Sequence, residues 1–89
     1  MTPIMSAARG GHFKVVELLV AHGADLNSHN DSGSALMWAV DSGNEELLSY
    51  LLRSGADVGW RNVLGSSALD FAREQKKTNV IRLLEARRK

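Results

Sequence analysis

The feature that most constrains this 89-residue chain is an internal repeat. Gly23-Ala24-Asp25 returns as Gly55-Ala56-Asp57, 32 residues on, and Gly11 returns as Gly43 at the same offset. Leu36-Met37-Trp38-Ala39 matches Leu69-Asp70-Phe71-Ala72 at 33. Val15-Val16 matches Leu47-Leu48 at 32, then Val80-Ile81 a further 33 on. The slip lies in a turn: four positions separate Gly65 from Leu69, but three separate Gly33 from Leu36. Self-similarity at a period of roughly 20–50 residues belongs to repeat architectures, where each unit buries its apolar faces against its neighbours. With 44% apolar and 24% charged residues the chain has the composition of a folded protein, and its length limits it to one domain.

Each unit reads as two short helices. Thr2 is a helix cap, and Pro3 suits a first turn that needs no donor. Ile4, Ala7 and Ala8 form an apolar stripe that Gly10-Gly11 ends. A second helix is predicted from about Phe13 to His22, with Val15, Val16, Leu18 and Leu19 as its buried face, stopped by Gly23. The next unit repeats this over Ser34 to Ser42 and Glu45 to Ser54, with Asn44 as a cap and Glu45 and Glu46 at the positive helix end. Ser28 to Gly33 and Trp60 to Gly65 read as turns between helix pairs.

Thr2-Pro3-Ile4, Ala7-Ala8, Gly11-His12, Val15-Val16, Leu18-Leu19 and Gly23-Ala24-Asp25-Leu26-Asn27 together resemble an ankyrin repeat. The resemblance extends over essentially the whole chain, as two full helix pairs and a divergent third. It implies an all-α fold, a short solenoid of stacked antiparallel helix pairs joined by hairpin-like turns. One domain over 1–89 would hold repeats at 1–29, 30–61 and 62–89. The sequence also departs from the family pattern. Met5, Met37 and Asp70 take the slot of a histidine that normally joins a local hydrogen-bond network. Ala35 and Ala68 replace a proline, Ser34 and Ser67 a threonine, and Gly59 the asparagine present at Asn27. Lys76-Lys77 replaces the Gly-His pair, which predicts a less sharp break between the last two helices.

The two ends differ. Arg73, Glu74, Gln75, Lys76, Lys77, Arg82 and Glu85 make the last unit polar, as a capping repeat requires. The tail Arg87-Arg88-Lys89 suits a helix C-terminus. At the other end no polar unit covers Ile4, Ala8, Val15 or Leu19. Either earlier repeats precede this segment, or the bare face self-associates into a homo-oligomer.

Little in the sequence supports chemistry. Eleven basic against ten acidic residues give a net charge of +1, which argues against a nucleic-acid partner. Without cysteine there is no disulfide, thiolate zinc site or cysteine nucleophile, and the chain fits a reducing, intracellular setting, with the cytoplasm ahead of the nucleus. No apolar run reaches the roughly 18 residues of a membrane span, so membrane insertion is not expected. The chain start lacks a signal-peptide pattern. His12, His22 and His29 lack metal-ligand spacing, and the first is expected to cap beside Gly11. The serines sit outside any nucleophile elbow, and Gly10-Gly11 is no phosphate loop. No catalytic residue, metal or cofactor is expected, and the chain does not read as an enzyme.

The resemblance implies instead a non-catalytic module that binds a protein or peptide through its concave inner helices and turn tips. On the inner helices the matching positions are Ser6, Arg9 and Gly10, then Trp38, Asp41 and Ser42, then Phe71, Glu74 and Gln75. On the turns they are His29, Asp31 and Ser32, then Trp60, Arg61, Val63 and Leu64. Trp38 and Phe71 occupy one repeat position and are expected side by side, either packed between repeats or offered to a partner. Trp60 either makes a contact or covers the neighbouring turn. Asp41 and Glu74 share a position that Arg9 holds in the first unit, so the face turns acidic toward its C-terminal end and favours a basic partner element. Leu19, Asp25 and Asn27 fit the spacing at which some ankyrin-like proteins are hydroxylated on the asparagine. Two other readings remain open: a self-assembly element using the N-terminal face, or the targeting end of a larger enzyme or receptor.

Overall fold

In the computed structural model, residues 1–88 are described, with side chains as far as Ala86. The side chains of the basic tail Arg87-Arg88-Lys89 lie outside the described part. Six helices follow one another: α1 (Pro3–Arg9), α2 (Phe13–Ala21), α3 (Ala35–Ser42), α4 (Glu45–Arg53), α5 (Ala68–Glu74) and α6 (Thr78–Arg88). One hydroxyl starts each odd-numbered helix. The Thr2, Ser34 and Ser67 side chains accept the backbone N–H of Met5, Met37 and Asp70. Each satisfies a donor that the first helical turn leaves unpaired. Asn44 does the same for α4 by accepting from the Leu47 N–H at 3.1 Å. His12 departs from the expected cap. Its side chain makes no cap bond to α2, and its ring lies so close over Gly10 that a Cβ there would stand 2.5 Å from Nε2.

The helices form two rows. In the inner row α1 packs on α3 and α3 on α5; in the outer row α2 packs on α4 and α4 on α6. Inner helices have 7, 8 and 7 residues and outer ones 9, 9 and 11, so the stack is shorter-sided on the inner face. Met5, Met37, Val40, Leu47, Leu48 and Leu51 have no exposed surface and form the centre of the core. Met5 and Met37 thus fill the family's histidine slot as packing. At the same slot in the third pair, Asp70 forms a capping box with Ser67, so a polar network survives there alone.

Side-chain bonds tie each pair to the one before it. Asn44 Nδ2 donates to the Gly11 carbonyl at 3.0 Å. Lys77, one unit later at the same position, donates through Nζ to the Val40 and Asp41 carbonyls, both at 2.9 Å. A cation at the α3 C-terminus also suits the helix dipole.

The break before α6 is as sharp as the others, contrary to expectation. Gly11 has φ 72°, Gly43 φ 75°, and Lys76 takes the same left-handed conformation at φ 56°. The Lys76 N–H donates to the Arg73 carbonyl and the Lys77 N–H to the Ala72 carbonyl, both at 3.1 Å, which closes this turn, and the lysine adopts a backbone state that costs an L-residue roughly 1–2 kcal/mol. Lys76→Gly is therefore expected to stabilise the fold by about 1 kcal/mol, after the extra freedom glycine brings to the unfolded chain. Thermal melting reads this as a rise of roughly 4–8 °C, and an unchanged or lower midpoint would refute it.

The face of α2 also differs from expectation. Val16 alone is buried there, Leu19 and Val20 are half-buried, and Val15 and Leu18 are 47% and 60% exposed. Ile4 and Ala8, expected to be bare, are buried because α1 is sandwiched between α2 and α3. The uncovered apolar surface at this end consists of Met1, Val15 and Leu18. Their counterparts in α4 are covered: Leu47 is fully buried, and the Tyr50 ring sits 5.4 Å from that of Phe13.

Candidate interaction surface

Arg9 ends α1 and reaches over the indole of Trp38 on α3, with 5.3 Å from guanidinium carbon to ring centroid. The arrangement is a cation–π contact between neighbouring pairs. Trp38 is half-buried and rests against the core, and its Nε1 is buried with no acceptor among the described residues. Gly33 lies beneath it, so the indole packs on a turn and also shows surface. Phe71 takes the same position on α5, half-buried against the core. Both rings are therefore packing residues that keep an accessible edge.

Asp41 and Gln75 meet across the α3–α5 junction, where Gln75 Nε2 donates to Asp41 Oδ1 at 3.2 Å. Both are exposed, as is Glu74 beside them. Ser42 is committed internally. Its hydroxyl donates to the Ala39 carbonyl at 2.7 Å and accepts the Asn44 N–H at 3.2 Å. Arg9, Trp38, Asp41, Phe71, Glu74 and Gln75 thus share the inner row, while Ser42 serves the helix end.

The turn candidates Trp60 and Arg61 are also committed. Trp60 stacks on His29 of the preceding turn, ring centroids 4.5 Å apart, and packs against the core. Arg61 donates to the Gly65 carbonyl at 2.7 Å and to Asp70 Oδ2 at 3.1 Å. Asp70 also accepts from the Ser67 N–H at 3.0 Å. That backbone bond, helped by the Ser67 hydroxyl and the Arg61 guanidinium and opposed by partial desolvation, holds the Asp70 carboxyl below its ordinary value. A depressed folded pKa stabilises the fold fully above the ordinary carboxylate value of about 4, and the gain is lost as pH falls through the lowered value. Asp70→Asn is expected to flatten the fall in stability below about pH 4, measured by urea unfolding. An unchanged acid limb would show that the pairing contributes nothing.

Asn27 joins two units rather than standing free. Its Oδ1 accepts the Asp57 N–H at 2.7 Å, and its Nδ2 lies 3.5 Å from the Gly55 carbonyl.

Sequence reading missed Asn30 and Asn62, which organise the two turns. Asn30 Oδ1 accepts the Ser32 and Gly33 N–H groups, each at 3.0 Å. Asn62 Oδ1 accepts those of Leu64 and Ser66, at 2.9 and 3.0 Å. Their spacing of 32 residues was the available signal. Among the described residues no group of three or more His, Asp or Glu is placed to hold a metal, and no helix is long and apolar enough to cross a membrane.

Stacked helix pairs with capped inner helices and asparagine-organised turns define a helical-repeat solenoid. A family model for ankyrin repeats in three copies matches residues 1–62. The mouse protein "Ankyrin repeat and SAM domain-containing protein 6" is 40% identical over 87 residues, covering 93% of this chain and 10% of the relative. Human "Palmitoyltransferase ZDHHC17" is 37% identical over 90 residues, covering 98% of this chain and 14% of the relative. "Ankyrin repeat and KH domain-containing protein mask-1" of Caenorhabditis elegans is 45% identical over 58 residues, covering 63% of this chain and 2% of the relative. The chain belongs to the ankyrin-repeat family, whose repeats are protein–protein interaction modules. It spans about a tenth of the length of the first two relatives.

Proposed function

We propose that this chain is a non-catalytic binding module that offers its inner-helix face and adjoining turn tips to a protein or peptide. The observation that carries this reading is the exposed row from Arg9 over Trp38 to Asp41 and Gln75, which crosses all three helix pairs. Trp38 supplies contact area through the edge of its ring that stays accessible. Asp41 and Glu74 suit a basic element of the partner. The test is affinity capture from cell extract, comparing the native chain with Asp41→Arg and Arg9→Glu, both surface changes. A captured protein should be lost with at least one variant, and retention with both would sink this surface. The repeats are assigned to 1–29, 30–61 and 62–89, each holding one helix pair.

The exposed Met1, Val15 and Leu18 favour a second reading, self-association through the N-terminal face. Light scattering over a tenfold dilution series would then show a dimer that dissociates on dilution and is abolished by Leu18→Glu. A monomer throughout would exclude it. A third reading, the targeting end of a larger enzyme, draws support from the palmitoyltransferase among the relatives. Hydroxylation of Asn27 requires its two cross-unit bonds to open, and an unshifted peptide mass after treatment with an asparaginyl hydroxylase would remove it.

A further inference from the structure

We propose that the turn between α4 and α5 carries a preformed apolar anchor, Val63-Leu64, which inserts into an apolar pocket of a protein partner whose rim bears a basic side chain. This rests on the interaction-module reading and gives it a specific anchor and partner chemistry.

Val63 is 71% exposed and Leu64 85%, more than any other large apolar residue among those described. The turn that holds them is well ordered by its own bonds. The Asn62 side chain accepts the Leu64 and Ser66 N–H groups, and the Asn62 backbone exchanges bonds with Ser66 and Gly65, both at 2.9 Å. Gly65 supplies the left-handed residue at φ 80°, and Arg61 clamps its carbonyl. Two further bonds fasten the tip to the preceding turn. The Val63 N–H donates to the Asp31 carbonyl at 3.1 Å, and Asn62 Nδ2 to the Ser32 carbonyl at 3.0 Å. An exposed apolar pair on so constrained a loop loses little conformational freedom on docking.

The repeat supplies its own control. One unit earlier, 32 residues back, Asp31 and Ser32 stand where Val63 and Leu64 stand. The Asn30 turn closes there with the same type of bonds, so folding of this turn does not require apolar side chains at the tip. Burial does not explain them either, because neither is covered. Contact with something outside the chain does.

Charge at the tip selects the partner. Asp31 is bonded to Val63 only through its main chain, and its exposed carboxylate has no hydrogen bond or ion pair among the described residues. The neighbouring cation, Arg61, is turned back onto Gly65 and Asp70. The free charge beside the anchor is therefore negative, which suits a basic rim and disfavours an anionic bilayer.

The test uses a phage-displayed library of cyclic peptides panned against the full chain, followed by affinity measurement of the enriched peptides. Val63→Ser and Leu64→Ser copy the chemistry of the earlier turn and keep the fold, which circular dichroism verifies. Enriched peptides should combine apolar residues with Lys or Arg. Leu64→Ser should weaken them roughly tenfold or more, as expected for losing a buried leucine, and Asp31→Lys should weaken them as well. Loss with Asp41→Arg but not with Leu64→Ser would overturn the anchor and leave the inner-face reading standing. Indifference to both changes would overturn both readings. The anchor is also overturned if no peptide is enriched. It is overturned again if Leu64 governs binding to phosphatidylcholine–phosphatidylserine vesicles and not to peptides.

Discussion

Leu47→Ala is expected to lower folding stability by about 3 kcal/mol, while Val15→Ala, one unit earlier at the same repeat position, costs less than about 0.5 kcal/mol. The two residues differ little in chemistry. Leu47 is fully buried in the core, so truncation opens a cavity as well as losing transfer energy. Val15 is half in water, and truncation there leaves no cavity. A chain of this size has a total stability of roughly 4–13 kcal/mol, and a stack of three repeats belongs near the lower end. One core truncation in the middle pair therefore removes a large share of the fold. Urea unfolding of both variants reads the difference directly. Equal losses would mean that the N-terminal face of α2 is covered in solution.

Asn62→Ala is expected to cost about 2 kcal/mol. The side chain accepts two backbone N–H groups of its own turn and donates to Ser32 across the junction, so one residue both closes the turn and fastens it to its neighbour. Asn62→Asp keeps an oxygen that can accept both N–H groups and loses the donor, and should cost about half as much. The alanine variant should also release Val63 and Leu64 from their fixed positions, weakening any peptide that depends on Leu64. Stability within error of the native chain would show that water replaces these bonds without penalty.

Much of this was legible in the sequence for simple reasons. The period of 32–33, the hydroxyl before each inner helix and the glycines after the outer ones act over a few residues. The helices consequently lie within a residue or two of where they were expected. Properties set by neighbours were not legible. Val15 and Leu18 match the buried pattern but are exposed, whereas Leu47 is buried and Tyr50 packs on Phe13. Lys76-Lys77 in place of Gly-His predicts a softer turn, yet backbone bonds to the Arg73 and Ala72 carbonyls hold Lys76 in the left-handed conformation. For Trp60 the sequence leaves a contact role and a cover over the neighbouring turn both open, and it offers Arg61 as a contact. Stacking on His29 and bonding to Gly65 and Asp70 turn both back onto the chain. The side chains of Val63 and Leu64 at the same turn stay exposed.

The measurement that tests the central claim most directly is amide hydrogen exchange on the complex with a captured partner, compared with the free chain. Added protection should fall on the inner helices α1, α3 and α5 and on the turn around Val63 and Leu64, with α2, α4 and α6 unchanged. Protection confined to the outer helices would contradict binding through the inner face.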